Sequence, residues 1–169
     1  MEIKKGTVYF FTGLSGAGKT TLGELFYTHL RAKKDNVVLL DGDRIRPVYN
    51  EDIGYTDESR VKGASRTFRV CKMLSDQGID VVVCSICMYS AVRGWNRENI
   101  ENYKEIYIKV GRETLIKRNQ KGLYTDGRNV VGVDLPFDEP QTPDFILCND
   151  GSETPDEIVA SLEDDLWQK

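Results

Sequence analysis

Gly13-Leu14-Ser15-Gly16-Ala17-Gly18-Lys19-Thr20 fits the pattern G-x-x-x-x-G-K-[ST], which restricts this chain more than any other feature of its sequence. The pattern works only between a strand and a helix, and both are legible. Thr7 to Thr12 is an uncharged, β-rich run and reads as a buried strand. Leu22, Leu25, Phe26, His29 and Leu30 then recur at helical spacing. The glycines permit backbone angles closed to other residues and let amide groups approach phosphate oxygens. The helix that follows points the positive end of its dipole at the anion. Gly13 to Thr20, with Thr21 behind them, are therefore the expected ATP-binding loop. Lys19 is expected to reach the β- and γ-phosphates, and the Thr20 hydroxyl to take Mg²⁺.

Strand and helix go on alternating beyond this unit. Asn36 to Leu40 is a second strand that runs into Asp41-Gly42-Asp43. Val61, Ala64, Phe68, Cys71 and Leu74 predict a long amphipathic helix closed near Gly78. Ile79 to Ser85 is a third strand, Ala91 to Tyr103 a helix carrying Arg93 and Arg97, and Glu105 to Val110 a fourth strand. Arg112 to Gln120 is again helical. Lys121 to Thr142 holds glycines and prolines with little periodicity, the signature of a lid. Phe145 to Cys148 is the last strand, and Thr154-Pro155-Asp156-Glu157 opens the last helix with a threonine cap.

This alternation predicts an α/β fold, the three-layer α/β/α architecture of P-loop NTPases, with a five-stranded parallel sheet and a lid loop. A single domain over residues 1–169 is expected, with its lid at about 121–142. Ligands of such sheets bind at the carboxyl ends of the strands. The phosphate loop, Asp41 and Asp43, Ser85 to Ser90 and the loop after Lys121 all fall there.

A net charge of −4 argues against a broad nucleic-acid footprint, and no apolar run is long enough to span a membrane. The few residues before the first strand leave no room for a signal peptide, so a cytoplasmic location is expected. Cys71, Cys84, Cys87 and Cys148 read as small, buried, reduced thiols. Cys84 and Cys87 have C-x-x-C spacing, but no second pair matches them. His29 lies on an apolar stripe and is expected to pack rather than to catalyse.

Asp41 and Asp43 follow an apolar strand, as a Mg²⁺-organising carboxylate would. Two carboxylates this close divide the work: one holds metal-bound water, the other accepts a proton from an attacking hydroxyl. The plain alternative is an Asp-Gly turn at a strand end. Arg44, Arg46, Arg60 and Arg66 gather in the next segment, where arginine is the natural clamp for an anionic acceptor. Half of them are expected to be solvated charge only.

Phe11 to Thr20, Leu40 to Arg46, Asp52 to Thr56 with Arg60, Lys121 to Tyr124 and Gly132 to Pro140 together resemble the adenylylsulfate kinase family, in order and over nearly the whole chain. That family transfers the γ-phosphoryl group of ATP to the 3′-hydroxyl of adenylyl sulfate. The resemblance implies ATP with Mg²⁺ as donor, a small nucleotide as acceptor, and a homodimer. It gives Asp43 the role of general base and Lys121 that of a lid lysine near the transferred group. Thr20 and Asp41 are the implied metal residues. Arg46 and Arg60 are implied to hold the acceptor's anionic arm, Tyr55 to stack on its base, and Arg118 to flank the adenine of ATP. Gly63 stands where the family has an asparagine reaching the substrate, and Val130 where a phenylalanine closes the adenine sandwich. Ile86-Cys87-Met88-Tyr89-Ser90-Ala91 replaces Phe-Ile-Ser-Pro-Tyr-Arg, and the lid between Tyr124 and Val130 is shorter. Losing one aromatic wall weakens stacking by roughly 1 kcal/mol.

The phosphoryl-transfer residues are thus kept while the base pocket, lined by Tyr55, Gly63, Ile86, Cys87 and Val130, is rebuilt. Such a pattern resembles the branch that phosphorylates cytidine diphosphoramidate in capsule phosphoramidate synthesis, whose smaller base suits a pocket with one aromatic wall. An adenylylsulfate kinase with an unusual pocket is the alternative. A non-catalytic nucleotide-dependent switch is a more distant one, against which Asp43, Lys121 and the arginines speak.

Overall fold

Val8–Thr12 forms β1, buried at every position, because an uncharged run with aromatic and β-branched residues pays no cost at the centre of a sheet. The computed structural model describes residues 4–52, 56–87, 89–118, 122, 124, 131–132, 135 and 137–168, with residues 50–52 described for the backbone alone. Among them, β1 is followed by α1 (Lys19–Lys33), β2 (Val37–Asp41), the short α2 (Gly42–Ile45) and a 3₁₀ segment (Arg46–Asp52). Then come α3 (Asp57–Ser75), β3 (Asp80–Cys84), α4 (Ser90–Asn99), β4 (Tyr103–Lys109), α5 (Arg112–Arg118), β5 (Phe145–Cys148) and α6 (Pro155–Trp167).

The five strands pair in parallel in the order β2-β3-β1-β4-β5. Alternate residues of the continuous apolar runs face opposite layers. Tyr9, Phe11, Val82, Ile106 and Ile108 pack with Leu22, Phe26 and Leu30 of α1 and Ile158, Val159 and Leu162 of α6. Val8, Phe10, Val81 and Val83 pack with Phe68 and Cys71 of α3 and Val92 of α4. Three layers result, as expected. No described helix is long and apolar enough to cross a membrane.

Most element ends shift by one or two residues from the sequence reading, and the largest difference lies between α4 and β4. The helix expected to run to Tyr103 ends at Asn99, and Tyr103 opens β4 opposite Val8. Its ring stacks on Phe10 with centroids 6.4 Å apart, so strand pairing and ring packing override the helical period. Cys148 is exposed where a buried thiol was expected. It lies on β5 at the sheet margin, where only Leu147 of the outer three residues turns inward. Cys71, Cys84 and Cys87 are buried and free. Gly78 takes the left-handed conformation (φ 81°) just past α3, and the Gly78 amide closes the helix end on the Ser75 carbonyl at 3.0 Å.

Candidate active site

The phosphate loop is built by close approach. Gly13 has φ 154°, and a side chain there would press on the Ile108 carbonyl at 2.6 Å. Gly18 caps α1 with φ 102°, and a Cβ would collide with the amide of Asn149. Among the described residues no side chain caps α1, and its first turn carries no acid. The first amides and the dipole of that helix are therefore directed at whatever lies in the loop. Arg118 braces the loop by donating to the carbonyls of Gly16 at 3.3 Å and Asn149 at 2.7 Å. Asn149 in turn donates to the Ala17 carbonyl at 2.8 Å. The sequence reading passed over Asn149, although an asparagine directly after the last strand sits at the ligand edge of the sheet.

Lys19 donates to the Leu14 carbonyl at 2.9 Å. Burial pushes its ammonium down to about 8, against the opposing pull of Cys84, Asp43 and Asp41. Thr20 Oγ1 donates to Asp41 Oδ2 at 2.7 Å. The other oxygen of Asp41 accepts the amides of Asp43 at 2.9 Å and Arg44 at 3.4 Å, which starts α2 and places Asp43 in its first turn. The Asp-Gly turn and the carboxylate beside Thr20 are thus one structure.

These donors fit a magnesium ion. Mg²⁺ is held by one or two protein oxygens together with substrate phosphates and water. The Thr20 hydroxyl and the Asp41 carboxylate meet at the mouth of the phosphate loop. Among the described residues no group of three or more His, Cys, Asp and Glu side chains is placed to hold a metal unaided, so an ion here needs the nucleotide's own oxygens.

Described residues between 121 and 142 rest on the loop. Tyr124 donates to the Ser15 carbonyl at 2.5 Å. Val131 and Leu135 pack with Leu14, Ile86 and Tyr107. Gly132 lies against Leu14 so closely that a Cβ would meet its methyl at 2.6 Å. Asp138 reaches α4 and accepts the Ser90 amide at 3.0 Å, a cap that no local sequence pattern announces.

On the acceptor side Arg46 and Arg60 are half-buried. Arg44 pairs with Glu24 at 2.8 Å, well exposed, which makes it one of the solvated arginines. Ile86 is half-buried, and its carbonyl accepts the Thr12 hydroxyl at 2.6 Å. Cys87 is buried with φ 22°, the sole positive φ of a non-glycine among the described residues. Burial raises its thiol to about 12, so it stays protonated. Gly63 is buried in α3. Tyr55, Lys121 and Val130 lie outside the described residues. His29 stands apart from the site, 2.9 Å from Glu163 of α6.

The family model for adenylylsulphate kinase matches residues 5–148. A cytidine diphosphoramidate kinase of Campylobacter jejuni is 40% identical over 147 residues, 84% of this chain and 85% of that protein. An adenylyl-sulfate kinase of Bacillus licheniformis is 33% identical over 170 residues, 95% of this chain and 86% of that protein. Among solved structures, the Mycobacterium tuberculosis APS kinase in complex with AMPPNP and APS superposes with a TM-score of 0.87 at 28% identity. That superposition covers 96% of this chain and 98% of the other.

Proposed function

The chain belongs to the adenylylsulphate kinase family, and we propose that it phosphorylates the 3′-hydroxyl of cytidine diphosphoramidate, as a step in capsule phosphoramidate synthesis. It is a nucleotide kinase with an alcohol group as acceptor, like the relatives it matches. One juxtaposition supports the reading most. Asp41 takes the Thr20 hydroxyl at 2.7 Å, while Asp43, two residues on, lies near enough to act on the charge of Lys19.

Roles follow from that arrangement. The amides of residues 13–20 and the Lys19 ammonium cradle the phosphates of ATP. Thr20 and Asp41 would hold a magnesium ion, which when bound would neutralise charge on those phosphates. Asp43 accepts the proton of the acceptor's 3′-hydroxyl as that oxygen attacks the γ-phosphorus. Arg46 and Arg60 hold the acceptor's anionic arm, and Lys121 approaches the transferred group. Arg118, at the end of α5 and bonded to the loop, flanks the adenine of ATP. Tyr55, Gly63, Ile86, Cys87 and Val130 line the acceptor base. One kinase unit with a lid at about 121–142, working in the cytoplasm as a homodimer, completes the proposal; light scattering at twice the chain mass checks the last part.

Cytidine is preferred because the greatest identity among these relatives, 40%, is to a cytidine diphosphoramidate kinase, and because the base pocket departs from the adenylylsulfate pattern. Adenylyl sulfate is the second reading, favoured by the family model and by a relative that matches 95% of the chain. A coupled assay for ADP release with each acceptor separates the two. Turnover of the cytidine compound is expected; turnover of adenylyl sulfate alone reverses the assignment.

A further inference from the structure

Tyr49 belongs to no motif in the sequence, yet the fold fastens its side chain to α3. It lies on the 3₁₀ segment Arg46–Asp52, one turn after Arg46 and directly after the short helix that carries Asp43. Its hydroxyl donates to Thr67 Oγ1 at 3.2 Å, and the Thr67 hydroxyl donates to the Gly63 carbonyl at 3.1 Å. Each hydroxyl in this relay has one donor role and fills it, so the direction of the chain is fixed. Gly63 and Thr67 share one face of α3, a turn apart. The half-buried tyrosine therefore reaches across a buried turn that has no side chain at its start. Arg66, next to Thr67, is near enough for its charge to act on the phenol.

Gly63 stands where the family that the chain resembles has an asparagine reaching the substrate, and Val130 where that family has a phenylalanine. A glycine in that place presents no side chain, and a tethered ring beside it offers a stacking platform. We infer that Tyr49 is a wall of the acceptor-base pocket, its ring held by Thr67 beside Gly63 and stacked on the base of the nucleotide acceptor. The inference rests on the kinase reading above and deepens it. Thr67 is a positioning residue, acting through the tyrosine. Stacking needs only a π-face, so Tyr49 contributes affinity for a flat base.

The test is steady-state kinetics of Tyr49→Leu, Tyr49→Phe, Thr67→Val and Thr67→Ser, with cytidine diphosphoramidate and adenylyl sulfate each offered as acceptor. Tyr49→Leu is expected to raise the acceptor KM by about tenfold and to leave the ATP KM unchanged. Tyr49→Phe keeps the ring, and its acceptor KM stays within about threefold of wild type. Thr67→Val shifts the acceptor KM in the same direction, and Thr67→Ser restores it. An unchanged acceptor KM in Tyr49→Leu overturns the inference, as does a parallel rise in both KM values, which marks a purely structural role. Should Tyr49→Leu not fold, the Thr67 pair carries the same reading. If the wild type uses adenylyl sulfate alone, the cytidine assignment falls while Tyr49 is still tested on that acceptor; if it uses neither, both fall.

Discussion

At Asp41 one carboxylate does two things: one oxygen fixes the start of α2 and the other holds the Thr20 hydroxyl. Asp43 is placed by the first of these, so the proposed base owes its position to its neighbour. Asp43→Asn keeps the turn and removes the proton acceptor. It is expected to lower kcat by about 10²- to 10⁴-fold while binding of a non-hydrolysable ATP analogue is unchanged by calorimetry. Weakened analogue binding would instead show that Asp43 shapes the donor site. Lys19 makes a prediction about pH. Burial has lowered its pKa to about 8, so the free protein loses that charge as pH rises through about 8. Bound phosphates favour the ammonium and raise the value again. Nucleotide binding should therefore take up a proton just above pH 8, and affinity should fall as pH rises through that value. Calorimetry in buffers of different ionisation enthalpy measures the uptake, and Lys19→Ala should abolish both the uptake and turnover.

Helix termini show the same division between ligand and fold at the scale of elements. The helix α6 starts with a complete capping box, Thr154 accepting the Glu157 amide and Glu157 reaching back, with Pro155 at its first position. The helix α1 starts bare, at the phosphate loop. Thr154→Ala is expected to cost about 1 kcal/mol in denaturant unfolding and to leave kcat unchanged. The cap of α6 and the loop before α1 were legible because the chemistry lies within a few consecutive residues. The strand β5 was legible for the same reason, down to its ends. The boundary at Tyr103 was not, because what decides it is a ring on β1 far away in sequence. Asn149 and Asp138 were missed alike: each side chain satisfies backbone groups of a remote segment, and no spacing records that. The site residues that carry charge at a strand end, Asp41 and Asp43, were visible; the tether of Tyr49 to α3 was not.

The whole molecule adds a feature that belongs to neither a loop nor a helix end. Glu105 of β4 is buried between Arg93 at 3.3 Å and Arg97 at 3.1 Å, and Arg97 also holds Asp144 at 3.2 Å and the Thr142 carbonyl at 2.8 Å. These ties join α4, β4 and the stretch that leads into β5. Burial raises the Glu105 carboxyl, with Arg97 and Arg93 opposing, so the pair is held against a desolvation cost. Arg93 Nη1 is itself buried without a partner among the described residues, so this guanidinium depends on Glu105 for its countercharge. Glu105→Gln leaves that cation buried beside a neutral group and is expected to lose about 3 kcal/mol of unfolding free energy. Arg97 is partly exposed, and its ion pairs contribute about 1 kcal/mol or less to stability. Yet Arg97 fastens the base of the lid region, so Arg97→Ala should act on catalysis first: the acceptor and ATP KM values rise while the denaturation midpoint moves little. Equal damage to stability from Arg97→Ala and Glu105→Gln would mean that the network serves the core alone, and that the returning segment is held by Asp138 and Glu139 instead.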